Sequence, residues 1–145
     1  MRVMMTIISL KNKSIHQNSV IMIRKISLYI LAIFYFVAGV NHFINPANYF
    51  PLIPDYLGSA EILNLLAGAA EVLGAIGLVI PATRKIAAWG IILLLIAFIP
   101  SHTYFISIGS CIEGGLCVPE WVAWIRLILI HPLLILWAWI YTRKN

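Results

Sequence analysis

One carboxylate limits what this chain can become. Residues 60–80 read AEILNLLAGAAEVLGAIGLVI, twenty-one residues almost all apolar, with Glu71 near the middle. A helix of that length crosses a bilayer core of ~30 Å. An acid at that depth costs at least ~2.5 kcal/mol unless a partner, a proton or water compensates it. Glu71 therefore demands an answering group from another segment, and that requires a bundle of several spans.

The composition agrees. Of 145 residues, 62% are hydrophobic and 10% charged, with mean hydropathy +0.97. That leaves too little polar surface to cover a soluble domain. The formal charge of +5 and pI near 9.5 would suit nucleic acid if the basic residues shared one face. They instead form short clusters beside apolar segments, Arg24-Lys25, Arg84-Lys85 and Arg143-Lys144. This is the positive-inside pattern, so the partner it predicts is a lipid bilayer and not nucleic acid.

Residues 1–23 are the least coherent part. The run Val3–Leu10 is too short to span, and no A-x-A cleavage site follows it. A poorly ordered extension is expected there, with an upstream mis-start as the alternative, since MIRKISLYIL from Met22 reads as an ordinary membrane-protein start. Residues 24–145 form a single domain with helices expected over about 25–43, 60–80, 86–106 and 121–141. Pro46, Pro51 and Pro54 prevent a helix from continuing through the first long loop. A tight turn, Pro81-Ala82-Thr83-Arg84-Lys85, joins the second and third helices. The loops at 44–59 and 107–120 contain no Lys or Arg, so they are assigned to the outside. The expected fold is an all-α, four-helix transmembrane bundle with both termini cytoplasmic. Trp121, Trp124, Trp137, Trp139 and Tyr141 bracket the last helix as an interfacial belt.

Depth can be counted at ~1.5 Å per residue, which puts Glu71 and His131 each roughly 16 Å below the outer ends of their helices. Arg126 lies about one and a half turns shallower than His131. Glu61, Asn64, Gly68, Glu71 and Ala75 follow one helical face, and Ala70 with Gly74 permits a close helix approach. Asn41 and His42 close the first helix, and His102 lies near the shallow end of the third. The expectation is a polar network of Glu71, Arg126, His131, Asn64, His42, His102, Asn41 and Glu61 opening outward, with Glu71 answered by Arg126 or His131. An inert network that only fixes helix packing is the alternative. The spacing contains no H-x-x-x-H or E-x-x-H, so no metal is expected and haem is disfavoured.

Cys111 and Cys117, with five residues between them, fall in the second outer loop, on the oxidising side. A structural bridge is the favoured reading, and a redox-active dithiol the other.

These residues resemble the DoxX-like family of small bacterial membrane proteins. The resemblance runs from Gly39-Val40-Asn41-His42-Phe43 with Pro46, Pro54 and Leu57, through Gly68-x-x-Glu71-x-x-Gly74 and Pro81-x-Thr83-Arg84-x-x-Ala87-x-Trp89-Gly90, to Pro100 and Trp124-x-Arg126-Leu127. It covers about Ile26 to Tyr141 and looks most like an uncharacterised branch. Two stretches depart from it: Pro100-Ser101-His102 where the branch often reads Pro-Ala-Asn, and Arg126-Leu127-Ile128-Leu129-Ile130 where it often reads Arg-Leu-Pro-Leu-Gln. The resemblance implies a four-helix bundle in the bacterial cytoplasmic (inner) membrane, with Glu71 and Arg126 as characteristic polar positions. It further implies a redox-associated accessory component of a respiratory or thiol-oxidation system, with a membrane or periplasmic redox partner; the outward pocket at Glu71, Arg126 and His131 would then bind a small polar molecule or a quinone head group. A small proton-coupled transporter, oligomeric with itself, is the competing expectation. A structural membrane partner without chemistry is the third.

Overall fold

The computed structural model describes the backbone of residues 2–112 and 115–143, with side chains from Gln17 onward. Helix α1 runs Arg2–Ile44, α2 Ala60–Val79 and α3 Arg84–Ser107. The fourth rod, α4, spans Glu120–Thr142. All four are long and apolar enough to cross a membrane, and no strand forms among the described residues.

Helix α1 is the departure from expectation. It does not begin near Lys25 after a separate 1–23 segment but is helical from Arg2, and its stretch 17–44 is long and apolar enough to cross a membrane. The reason is local: between Arg2 and Ala38 the sequence contains no Gly or Pro, so nothing stops helix propagation. By contrast α2 has defined ends. Ser59 caps its start, the Oγ accepting from the Ile62 N–H at 3.4 Å. At its other end Thr83 Oγ1 donates to the Gly77 carbonyl at 3.0 Å, and Arg84 Nε donates to that of Leu78 at 2.8 Å. The orphan carbonyls of a helix end are thus covered before α3 begins.

Helix α4 is not a uniform α-helix. Glu120–Ile125 is α, Arg126–Ile130 is a π turn, His131–Trp139 is α again and Ile140–Thr142 is 3-10. Pro132 has no N–H to give the Ile128 carbonyl. The ladder adjusts around it, the His131 N–H reaching back five residues to the Arg126 carbonyl.

Helices α1 and α2 approach most closely where Gly39 meets Gly68. A Cβ on Gly68 would lie 2.7 Å from the His42 Cβ, and one on Gly39 would lie 2.9 Å from the Glu71 Cβ. Helix α3 fits against α2 in the same manner, Gly77 on Ala87 and Gly74 on Ile91. Ala70, expected to pair with Gly74 at such a contact, faces open space instead. The buried core lies toward the basic end of the bundle, among Leu28, Leu31, Ala75, Leu78, Ile91 and Ala138. The bundle is as apolar outside as inside, with Ile33, Val37, Leu66, Leu73, Ile86 and Leu93 all exposed. Lipid is the solvent that suits such a surface.

At the opposite end the two long connections close over the helices. Residues 45–59 form three 3-10 turns, at Pro46–Asn48, Phe50–Leu52 and Asp55–Leu57. In the second connection a disulfide joins Cys111 to Cys117 across an antiparallel bridge. The Val118 N–H donates to the Ser110 carbonyl at 3.0 Å beside it.

Candidate functional site

The Gly39–Gly68 crossing brings a polar triad together. Asn64 Nδ2 donates to the His42 backbone carbonyl at 3.0 Å, which directs Asn64 Oδ1 at His42 Nδ1, 2.6 Å away. An amide turned the other way would set two oxygens against each other, so His42 carries its proton on Nδ1. His42 Nε2 then faces Glu71 Oε2 at 3.6 Å. The Tyr49 ring stacks on His42, centroids 3.7 Å apart and planes 23° from parallel. Asn41 Nδ2 donates to the Tyr49 hydroxyl at 2.6 Å, and Asn45 Nδ2 to Asn41 Oδ1 at 2.7 Å, so the loop after α1 holds the stacked ring in place.

A second polar group lies across from it. His131 Nε2 donates to the Leu95 backbone carbonyl at 2.7 Å, and its ring meets that of His102 edge-on at 4.8 Å. Arg126 contributes the cation on this wall. Between the two groups is a cavity of about 470 Å³, within the usual size range of small-molecule sites. Its apolar wall includes Phe34, Leu52, Phe98, Phe105 and Leu134.

Of the residues singled out in the sequence, Glu71, Asn64, His42, His102, Arg126 and His131 all line this cavity. Asn41 stands behind Tyr49 and positions it. Glu61 is exposed in the first turn of α2 and takes no part in the cavity wall. The partner of Glu71 differs from expectation. The contact comes from His42 on α1, not from Arg126 or His131 on α4, because the two glycines let α1 approach α2 at the level of the acid. The depth estimate also separated His102 from His131, whereas their rings touch. Tyr35 and Tyr49, which line the cavity as well, were not marked by the sequence reading. Tyr35 is an aromatic in an apolar run, and nothing local sets it apart. Among the described residues no group of three His, Cys, Asp or Glu side chains is placed to hold a metal ion.

No curated protein and no solved structure matches the chain. Residues 31–142 match a family described as a domain of unknown function (DUF8561), a stretch that takes in the end of α1 from Leu31, all of α2, α3 and α4, and every residue of the cavity wall. With most of its length matched, this chain belongs to that family.

Proposed function

We propose that this protein is an integral component of the bacterial cytoplasmic membrane, DoxX-like in kind, that binds a small molecule in its loop-end cavity as an accessory to a respiratory or thiol-oxidation system. A quinone head group is the leading ligand. The observation that carries this is the contrast within the cavity, where a buried acid–imidazole contact and a cationic wall face each other across aromatic and aliphatic side chains. A packing network alone does not need a cavity of about 470 Å³ between its members. Quinone oxygens are acceptors, suited to Arg126, and the ring suits the Phe-lined wall.

Orientation follows from charge. Both termini and the 81–85 turn carry the Lys and Arg, and lie in the cytoplasm, while the cavity end and the Cys111–Cys117 bridge face outward.

A thermal-unfolding series in detergent with a short-chain ubiquinone analogue tests the reading. Saturating ligand at about a hundred times its Kd stabilises the folded state by about 2.7 kcal/mol. The midpoint should therefore keep rising with the logarithm of ligand concentration for the native protein, and much less for Arg126→Leu. An unchanged midpoint across the ligand range counts against the cavity as a quinone site.

A further inference from the structure

We propose that the cavity opens sideways into the bilayer between α2 and α3, and that the quinone it takes is a lipid-borne one whose hydrocarbon tail leaves through that gap. This rests on the reading of the cavity as a quinone site and adds the route of entry and the tail.

The gap follows from where the small residues fall. Nearer the basic end α2 and α3 are pressed together, Gly77 on Ala87 and Gly74 on Ile91. About one turn further toward the loop end, Ala67 and Ala70 on α2 and Leu94 and Ala97 on α3 all border the cavity. Ala70 and Ala97 are exposed. Exposure to the cavity alone does not make a portal, so the outer faces of the helices decide. Leu66 borders the cavity and is 59% exposed, and it lies four residues after Ile62, on the stripe that α2 turns outward. Ala97 stands in the same relation to Leu93, which is 64% exposed on the outside of α3. The cavity wall thus includes members of the outward stripes of both helices. The opposite seam, between α1 and α4, carries the Phe34 ring and Leu134 where the α2–α3 gap carries two methyl groups. That ring is set edge-on against Tyr35, centroids 5.3 Å apart.

Depth identifies what meets the opening. Ala70 is ten residues from the start of α2 and Ala97 ten from the end of α3. At 1.5 Å per residue both are ~15 Å in from the loop end, the middle of a hydrocarbon core of ~30 Å. Acyl chain, not water, stands at that level, and every residue named at the gap is apolar. A tail passing there exchanges lipid contacts for protein contacts of the same kind.

The polar pole of the cavity lies nearer the loop end. Arg126 is six residues into α4, ~9 Å from its start, and His102 is five residues past Ala97. Arg126 borders the cavity and makes no hydrogen bond or ion pair among the described residues. A guanidinium offers only donors, so it calls for the acceptor oxygens of a head group. Glu71 is not the group that meets the ligand, since its Oε2 is buried against His42. Head toward the loop end and tail toward the bilayer middle is the orientation an amphiphile already has within one leaflet. Entry between α2 and α3 therefore needs sideways movement and no reversal.

The experiment is photo-labelling of the full chain in nanodiscs by a benzoquinone whose ten-carbon tail ends in a diazirine. Peptide mass spectrometry locates the label, with and without excess short-chain ubiquinone analogue. Label should fall on 62–70 of α2 and 93–98 of α3, and the excess analogue should remove it by taking the head site. Ala97→Phe is a second measurement, at a residue that faces the gap and not the buried core. It should lower the affinity of the tailed quinone relative to the short-chain one about tenfold, because the ring takes the space of the tail. Removable label on the 45–59 loop, or beside Phe34 and Leu134, sends the tail elsewhere and overturns the gap while the ligand site stands. Label that the analogue does not remove comes from bulk lipid and overturns the gap as well, as does an unchanged affinity ratio in Ala97→Phe. If nothing is labelled and the thermal midpoint ignores the quinone, the gap and the quinone site both fall.

Discussion

The two ends of this bundle handle the same problem, polar groups at the ends of apolar helices, in opposite ways. At the basic end the polar side chains that turn inward find protein partners among the described residues. Arg24 donates to the Ile140 carbonyl at 2.9 Å, Tyr141 to that of Arg24 at 3.2 Å, and Trp137 Nε1 to Ser27 Oγ at 2.8 Å. Arg84 and Thr83 close the end of α2. Beneath them Leu28, Leu31, Leu78 and Ile91 pack together. At the loop end the partnering stops short. His42 and Asn64 satisfy each other, yet Glu71 Oε2 and the Tyr35 hydroxyl are buried without a hydrogen-bond partner among the described residues. A lipid-embedded protein gains no stability from leaving polar atoms bare. The difference marks the basic end as packed scaffold and the loop end as the candidate site.

The largest test of that division is at the α1–α2 crossing, which serves both ends. In Gly68→Val the new Cβ would fall 2.7 Å from the His42 Cβ and 3.0 Å from the Gly39 carbonyl oxygen, a backbone atom that cannot rotate away. We expect a loss of about 3 kcal/mol in reversible unfolding from mixed micelles. Ligand binding should be lost with it, because His42 would be pushed off both Asn64 and Glu71. Unchanged stability would mean the helices do not cross at these glycines, and the comparison would lose its hinge.

Leu31→Ala separates the ends. Leu31 is fully buried in the scaffold core and does not line the cavity. Lipid is as apolar as the core, so the penalty is lost packing without the water-transfer part, about 2 kcal/mol. Ring-ligand affinity should stay within about twofold. A large fall in affinity would show that the scaffold and the cavity are not separable.

The scaffold was far more legible in the sequence than the cavity. Hydropathy and proline positions place four spans, because backbone satisfaction in lipid leaves a chain little choice but helices. Spacing alone groups Glu61, Asn64, Gly68, Glu71 and Ala75 on one face, and all of these but Glu61 are buried. What spacing does not carry is which neighbour that face meets. Counting residues down a helix gives depth but not rotation, so depth alone sets Arg126 and His131 opposite Glu71, whereas His42 is in contact. The π turn at Arg126–Ile130 further alters the phase of α4. A signal for the true pairing was present: Gly39-x-x-His42 and Gly68-x-x-Glu71 share one spacing, so two glycines in contact bring their polar residues together. Tyr35 had no such signal, since its place in the cavity wall comes from how the other helices pack around it.

Glu61 supplies the smallest predicted effect and a control for all the rest. It lies on α2 ten residues before Glu71 and shares its face by periodicity, so the sequence grouped the two. The structure separates them by environment. Glu61 is exposed in the first turn, where a negative charge is favoured by the unpaired N–H groups of the helix start. Glu71 is two to three turns deeper, buried against His42. The same side chain is thus a solvated helix-end charge in one place and a cavity-floor acid in the other. Glu61→Gln should change stability by no more than about 0.5 kcal/mol and leave the midpoint shift given by the short-chain quinone unchanged. If it instead abolished that shift, the acid that matters to the ligand would be at the mouth of the bundle, and Glu71 would be a packing group.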